Sequence, residues 1–462
     1  MSSKRSVPLK NRTYVLDHHA NDSKIDPIRD MLPAWKSSMA AIQYIQIQKI
    51  KSGDGINWLT AEDVKRYHLP LSARQLKSVT NQVNTALKSW RTKTKKLFRA
   101  ELKRSSLSKA DAEKLHELNN TEKWFTDPRG AHIMDAVLKT NPFPVFKNVR
   151  TMVLDNTVCQ DEQSFTSFDR WLRVSTLTPR KVVYIPLSES DYFTSRDGEE
   201  ASVTQVRINE DNSVRFSRVK QSPLAEKRIE GRVIALDWGL VNLFTTDDGR
   251  RLGVQSYTRL KRLDAQLLEL TKALQRNNIK PRDSKRYRKL NKRISDSVTN
   301  EVNRILNKLV EEDVAELVVE SLDFRSGGLS RKLNRILSRA GRGAVRRKLA
   351  SLSEDTGVLI TEVNPAYTSR ECSGCGFASE LNRRTQKKFR CVFCGKTCNA
   401  DHNAAETIGR RRSVFDDGLL WRSKEAVLAA VDQRFRQRWG LEADSFRQRH
   451  KRGHSTASTA IL

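Results

Sequence analysis

The sequence is short of acidic residues. Asp and Glu account for 54 of its 462 residues against 85 Lys and Arg, which gives a formal net charge of +31. Because so large an excess repels itself, it indicates a polyanionic partner; nucleic acid is the first expectation and an acidic membrane surface the alternative. The chain also lacks an apolar run long enough to span a bilayer and an apolar signal-peptide core near its start. We therefore expect a soluble, intracellular protein.

Cysteine is also scarce. The chain has six, and five of them lie between Cys372 and Cys398. This distribution disfavours a secreted disulfide framework and favours a metal site in a reducing compartment. Cys159 stands apart, and we expect it to be a small buried apolar residue.

The first half of the chain has no tandem repeat and no sustained low-complexity segment. Residues 11–19 (NRTYVLDHH) predict a strand, and the stretch from Met31 to about Leu138 has helical periodicity, with helix starts at Thr60 and Ser108. Between 141 and about 225, apolar and polar residues alternate in four segments, which predicts a β-rich unit shaped like a barrel and completed by the N-terminal strand. The four segments are WLRVST, KVVYIP, SVTQVRI and SVRFSRV.

The second half predicts alternating strands and helices. A buried strand ends in Asp237, and the sequence DDG then forms a hairpin; two long leucine-rich helical stretches follow. A second buried strand ends in Glu320, and a basic helical region from Arg331 to Leu352 leads to the strand GVLITEV. A cysteine-rich module and a helix opening at Asp401 complete the order, which is that of an RNase H-like α/β domain. One amphipathic helix is expected beyond Ser413.

The cysteine-rich module has the spacing of a structural zinc site. Two Cys-x2-Cys pairs are separated by fifteen residues, and glycines beside them permit tight turns. A closed shell of four sulfurs leaves no open position, so the ion would maintain shape and would not catalyse. Cys398 is an alternative to the last ligand. The predicted zinc ligands are Cys372, Cys375, Cys391 and Cys394.

Asp237, Glu320 and Asp401 each lie where an element begins or ends. Phosphodiester hydrolysis needs an activated water and a neutralised leaving oxygen, and two Mg2+ ions held by carboxylates supply both. A single acid at a strand end is more often a solvated loop residue, but the order of all three within this fold pattern favours a catalytic site. Ala404 and Ala405 are small enough to let the last helix pack closely on the sheet. Asn403 either orients a ligand or water or lies on the helix surface.

At these residues the sequence resembles the TnpB proteins of IS200/IS605-type transposons, whose RuvC motifs and zinc finger are shared by compact type V CRISPR effectors. The resemblance extends from about Val233 to Arg412, under half of the chain. Its motifs are ALDWGL, VVESLDF, NPAYTSRECSGCG, CVFCG and NADHNAA. Trp238 departs from the aliphatic residue that is more usual after the first acid.

The resemblance implies an RNA-guided DNA endonuclease. It would bind a structured guide RNA and double-stranded target DNA, recognise a short adjacent motif, form an R-loop and cut with a single RuvC site. Asp237, Glu320 and Asp401 would be the catalytic magnesium ligands, and the four cysteines the zinc ligands. A prokaryotic cytoplasmic, nucleoid-associated protein acting as a monomer or as a dimer on one RNA is implied, with no role for a membrane.

The fold class expected is multidomain α+β. A RuvC nuclease domain carries an inserted zinc ribbon, and an N-terminal β-barrel-like wedge domain is interrupted by a helical recognition domain. The expected boundaries are 1–30 and 141–228 for the wedge domain, 31–140 for the recognition domain, 229–365 and 399–412 for RuvC, 366–398 for the zinc insert, and 413–462 for a C-terminal helix and tail.

Basic clusters with interleaved aromatics, such as KSWRTKTKKLFR and SKRYRKLNKR, suit contact with RNA or a heteroduplex, although each also fits an ordinary charged helix face. Two other functions fit parts of the sequence: an RNA-guided repressor that does not cut, and a guide-independent zinc-ribbon DNA-binding protein. The candidate nucleic-acid-binding residues are Arg286, Arg288, Lys289, Lys292, Arg383, Arg384, Lys387 and Lys388.

Overall fold

The computed structural model describes residues 8–53, 58–105, 107–163, 166–239, 241–321, 342–385, 387–414, 419–420 and 422–441. The chain divides into two compact units, Met1–Pro223 and Leu224–Leu462. Within the described ranges, no helix combines the length and the apolar character needed to cross a membrane.

An antiparallel sheet of seven strands forms the framework of the first unit, in the order β2-β6-β7-β1-β5-β4-β3. The N-terminal strand β1 lies between β7 and β5, as the sequence predicts. The edge strands β2 and β3 are consecutive in the chain and joined by residues 156–158, so the sheet must curl to bring its edges together. The strands are β1 (Leu9–His18), β2 (Thr151–Asp155), β3 (Cys159–Glu162), β4 (Arg170–Ser175), β5 (Val182–Ser188), β6 (Glu199–Ile208) and β7 (Val214–Pro223).

Five helices of the first unit lie between β1 and β2. The predicted helical start at Met31 is wrong: the first helix begins at Asp22, because the Asn21 side chain caps it by accepting a hydrogen bond from the Lys24 N–H. The predicted helix starts at Thr60 and Ser108 are confirmed as N-caps. The helices are α1 (Asp22–Ser52), α2 (Ala61–Lys65), α3 (Ala73–Leu102), α4 (Lys109–Thr121) and α5 (Pro128–Thr140), and the short α6 (Asp191–Thr194) follows β5.

Cys159 is buried in the core of the first unit with 3% of its surface exposed, as expected for a small apolar residue. Burial raises the pKa of its thiol to about 11, so this cysteine stays neutral at physiological pH.

The second unit contains a five-stranded sheet in the order β10-β9-β8-β11-β12. Strands β8, β11 and β12 are parallel, whereas β9 and β10 extend the sheet as an antiparallel hairpin. The carboxyl ends of β8 and β11 therefore meet at one edge of the sheet, which brings Asp237 and Glu320 to the same edge. The strands are β8 (Arg232–Trp238), β9 (Phe244–Thr246), β10 (Arg251–Leu252), β11 (Val314–Glu320) and β12 (Leu359–Val363).

The predicted order of helices in the second unit is confirmed. Residues 331–341 of the predicted basic helical region, and the tail after residue 441, lie outside the described residues. The helices are α7 (Val254–Arg276), α8 (Lys285–Val310), α9 (Arg342–Thr356), α10 (Ala400–Val414) and α11 (Lys424–Trp439). The buried leucines of α7 and the β-branched face of α8 pack with β8 and β11 in one apolar cluster.

Helix α10 lies against the sheet at close range. Ala404 and Ala405 are buried, as predicted, and Ile408 packs with apolar residues of β8, β11 and β12. A Cβ atom added at Gly409 would lie 3.2 Å from the Cβ of Ala235, so a larger residue there would push the helix away. The cysteine-rich segment, with its small hairpin of β13 (Lys388–Arg390) and β14 (Thr397–Asn399), lies between β12 and α10.

Candidate active site and metal centre

Three elements of the second unit carry the three predicted acids. Asp237 lies near the end of β8, Glu320 is the last residue of β11, and Asp401 lies in the first turn of α10. All three retain partial solvent access. The three acids are therefore half-buried and remain accessible to solvent.

The charges of Glu320 and Asp401 act on Asp237. Burial raises the pKa of Asp237 well above its ordinary value, and the negative charges of Glu320 and Asp401 raise it further, while Arg383 opposes the shift. Burial also raises the pKa of Glu320, against a hydrogen bond from Thr368 and the charges of Arg411 and Arg383. Carboxylates crowded in this way favour a bound cation.

Two side chains from the segment after β12 contact the acids. The Arg383 guanidinium donates a hydrogen bond to Asp401 Oδ1 over 3.2 Å, and the Thr368 hydroxyl donates to the Glu320 carboxylate. The Asn399 side chain accepts the Asp401 N–H at 3.0 Å. The sequence prediction treated Arg383 as a nucleic-acid contact and did not single out Thr368, because nothing in the local pattern of either residue shows a distant carboxylate partner.

Within the described ranges, the four predicted zinc ligands are the one group of His, Cys, Asp or Glu whose ligand atoms all lie within 4.8 Å of one another. The carboxylates of Asp237, Glu320 and Asp401 are spaced more widely than that.

The cysteine cluster has the donor set of a structural zinc site. The Sγ atoms of Cys372 and Cys394 are 3.7 Å apart, and those of Cys375 and Cys391 are 3.5 Å apart. Backbone hydrogen bonds close each turn, with Gly376 and Gly395 in the left-handed region at φ 87° and 75°. Cys398 is not part of the cluster; it lies on β14 opposite Phe389 of β13. Four converging thiols fit a tetrahedral Zn2+.

Asn403 has a role that neither sequence prediction anticipated. Its side chain is fully buried, so it does not lie on the helix surface. Its amide accepts hydrogen bonds from Ser373 and donates one to the Glu371 carbonyl, all on the turn that carries Cys372. It therefore ties α10 to the first cysteine pair instead of orienting a ligand.

The predicted nucleic-acid-binding residues fall on separate surfaces. Arg286, Arg288, Lys289 and Lys292 are exposed on α8, where Lys292 pairs with Asp296. Arg384, Lys387 and Lys388 are exposed at the cysteine-rich module, whereas Arg383 is half-buried beside Asp401.

We expect Asp237→Asn to stabilise the metal-free protein at neutral pH, raising its melting temperature by about 2–4 °C. The folded protein raises the pKa of Asp237, so stability from this group is present in acid and is lost as pH rises through the raised pKa. The isosteric neutral amide avoids that loss, and its advantage should vanish well below the ordinary Asp pKa of about 4, where the carboxyl is protonated in both states. Thermal melts in chelator across this pH range measure the effect.

The matched control is Asp248→Asn. Burial disfavours the Asp248 carboxylate, but hydrogen bonds from Arg250 and Thr246 prevail and hold its pKa below the ordinary value. Its stabilising contribution is therefore present at neutral pH and lost in acid, so this variant should melt earlier at pH 7. If both variants move the melting temperature in the same direction, the electrostatic account of Asp237 is wrong.

Comparison with known proteins finds a family match in this part of the chain. Residues 343–408 match the family model of the Cas12f1-like TNB domain. The putative RNA-guided DNA endonuclease InsQ of Escherichia coli (strain K12) is 42% identical over 76 residues, 16% of this chain and 19% of that protein. A TnpB-like protein of Aquifex aeolicus (strain VF5) is 33% identical over 124 residues, 26% of this chain and 40% of that protein.

The chain thus spans less than half the length of either curated relative. Among solved structures, CasPhi-2 (Cas12j) bound to crRNA and phosphorothioate-DNA aligns over 88% of this chain and 91% of that chain, with 11% identity and a TM-score of 0.48. The resemblance to TnpB proteins and compact type V effectors that the sequence motifs indicate is confirmed over the matched segments.

Proposed function

We propose that this chain is an RNA-guided DNA endonuclease with one RuvC-type site formed by Asp237, Glu320 and Asp401. The observation that carries the proposal is the placement of these acids at the ends of β8 and β11 and the start of α10, where the charges of Glu320 and Asp401 raise the pKa of Asp237. The similarity to TnpB-like and RNA-guided relatives supports the same function. The three carboxylates argue against a repressor without cleavage and against a guide-independent zinc-ribbon protein.

Carboxylate oxygens are the ligands that Mg2+ prefers, so the three acids would hold the catalytic metal. When bound, magnesium lowers the pKa of water and neutralises the leaving oxygen. The partial exposure of all three acids gives a phosphodiester access to the site. Ionised Asp237 and Glu320 are needed for metal binding, so their raised pKa values imply that cleavage declines as the pH is lowered.

Arg383 would serve the same reaction. In the metal-free protein its guanidinium neutralises Asp401. The fixed fork of N–H donors on this guanidinium also suits a phosphate oxyanion that lies beside the carboxylate. Arg383 is therefore proposed as a substrate contact inside the site, separate from the exposed basic residues of the same module.

We assign the remaining parts of the chain by the same proposal. Residues 1–30 and 141–228 form the wedge domain and 31–140 the recognition domain that reads the target-adjacent motif, although α1 already begins at Asp22. The exposed cations of α8, with Arg384, Lys387 and Lys388, contact phosphates of the guide RNA and target DNA. Zn2+ at the four cysteines maintains the shape of the insert.

The experiment that tests the proposal is recovery of RNA with the protein. The gene is expressed with its native flanking DNA, the protein is purified, and the bound RNA is sequenced and used to design a matching DNA target. A defined RNA from the 3′ flank together with guided, Mg2+-dependent cleavage supports a TnpB-type nuclease; repeat-bearing RNAs from a nearby array support a CRISPR effector. Guided binding without cleavage would mean a repressor, and no defined RNA would overturn the guided function.

A further inference from the structure

Helix α10, which carries Asp401, also holds the turn that carries Cys372. The side-chain oxygen of Asn403 accepts the Ser373 N–H at 3.1 Å and the Ser373 hydroxyl at 2.8 Å, while its NH2 donates to the Glu371 carbonyl at 2.8 Å. Asn403 is fully buried, so water does not replace these bonds. One side chain thus fixes the backbone on both sides of a predicted zinc ligand.

Residues further along α10 hold the same turn. The Thr407 hydroxyl donates to the Glu371 carbonyl over 3.3 Å, and Arg410 donates to the carbonyls of Cys372 and Ser373 over 3.0 and 2.5 Å. Arg411, which has 2% of its surface exposed, pairs with the Glu371 carboxylate at 2.8 Å. The turn and the helix therefore form one hydrogen-bonded body.

The N-terminal end of α10 is tied to the second cysteine pair. The chain passes directly from β14 into the helix, and the Ala400 N–H bonds to the Lys387 carbonyl at 2.9 Å. The Asn399 side chain accepts the Asp401 N–H. Asp401 thus lies between two tethers, one to each cysteine pair, and the packing of Ile408 and Gly409 on the sheet fixes the middle of the helix.

From these contacts, and resting on the proposed function, we propose that Asn403 is a positioning residue that couples the cysteine cluster to the carboxylate site. A cation held by the thiols would fix the Cys372 turn. Because Asn403 is bonded to that turn, it would also fix the first turn of α10 and hence the position of Asp401. Because energetic coupling between two binding sites is reciprocal, a cation at the carboxylates must in turn strengthen cation binding at the cysteines.

The test measures zinc release and needs no RNA, DNA or cleavage. The full zinc-loaded chain is mixed with a nitrogen-donor chelator that prefers zinc over magnesium, with and without Mg2+ at matched ionic strength. Mg2+ is a hard ion that thiolates bind poorly, so it acts on the carboxylates and not on the cysteines. We expect Mg2+ to slow zinc release by about tenfold, within the usual range of coupling between sites.

Substitutions at Asn403 and Thr407 test whether these side chains carry the effect of Mg2+ on zinc release. Asn403→Ala should release zinc faster without Mg2+, and Mg2+ should slow that release by less than about twofold. Asn403→Asp still accepts hydrogen bonds from Ser373 but cannot donate to Glu371, so its zinc release should be intermediate. Thr407→Val removes the hydroxyl that donates to the Glu371 carbonyl, so it should have a smaller effect in the same direction. The matched control is Asn277→Ala, an asparagine-to-alanine change at the end of α7, where the side chain donates to the Ala273 carbonyl; it should retain the full effect.

The outcomes separate this proposal from the proposed function. Asp401→Asn should abolish the Mg2+ effect while retaining zinc; if it does not, the carboxylate assignment fails. If Asp401→Asn abolishes the effect but Asn403→Ala retains it in full, the carboxylate site stands and the positioning role of Asn403 is wrong. If Mg2+ does not change the zinc-release rate of the wild-type protein, the proposed coupling is wrong.

Discussion

Asp237→Ala and Glu320→Ala should each lower the rate of guided DNA cleavage by more than about 10³-fold, a loss of about 4 kcal/mol or more of transition-state stabilisation. Each variant removes one of the three carboxylates that would hold the metal, so the two remaining acids are expected to hold a pair of cations poorly. The measurement is single-turnover cleavage of a matched DNA by the guide-loaded full chain with excess Mg2+.

Guided binding of the same DNA should be unchanged in both variants, because base pairing and phosphate contacts do not depend on these acids. A gel-shift titration in a chelator measures it. The control is Asp248→Ala, an acid on the loop of the β9–β10 hairpin that pairs with Arg250 and should still cut. Cleavage that persists in Asp237→Ala or Glu320→Ala would refute the active-site assignment.

The second half of the chain was predictable because its signals are local and strong. Buried parallel strands are continuous apolar runs, and a run that ends in an acid shows both the strand and the candidate ligand; Asp237 and Glu320 were found in this way. The thiol spacing identified a cluster whose ligand atoms do converge. Both predictions depend on patterns within a few residues of the site.

What escaped prediction depends on distant contacts or weak patterns. Strand β3 has the sequence CQDE, whose polar residues give no apolar alternation, and its strand character comes from pairing with β4. Thr368 and Arg383 lie far along the chain from the acids that they contact, and the two roles proposed for Asn403 both missed its bonds to Ser373 and Glu371. A single sequence cannot display such pairings.

The first half carried no motif, so its architecture rests on periodicity alone. The alternating segments of β4 to β7 were recognised, and β1 pairs where the β-rich unit needed a further strand. The start of α1 was misplaced because its first turns, from Asp22 to Asp30, are largely polar and show little apolar periodicity.

Cys375→Ser should lose zinc and disorder the cysteine-rich module, whereas Cys398→Ser should do neither. Cys375 is buried within the four-thiol cluster, and structural zinc in small modules contributes on the order of 10 kcal/mol of folding free energy. Cys398 lies outside that cluster, so it gives a matched cysteine-to-serine change in the same module. Zinc content per chain and thermal melting with and without chelator measure both variants.

The two cysteine variants should also differ in guided DNA cleavage. Because the module continues into α10, loss of zinc through Cys375→Ser should lower guided cleavage by at least about 10²-fold, a loss of about 3 kcal/mol. Cys398→Ser should cut at the wild-type rate. A zinc-free Cys375→Ser protein with full activity would show that the module does not position Asp401. A zinc-free Cys398→Ser protein would show that Cys398, and not Cys394, is the fourth ligand, which is the alternative that the cysteine spacing left open.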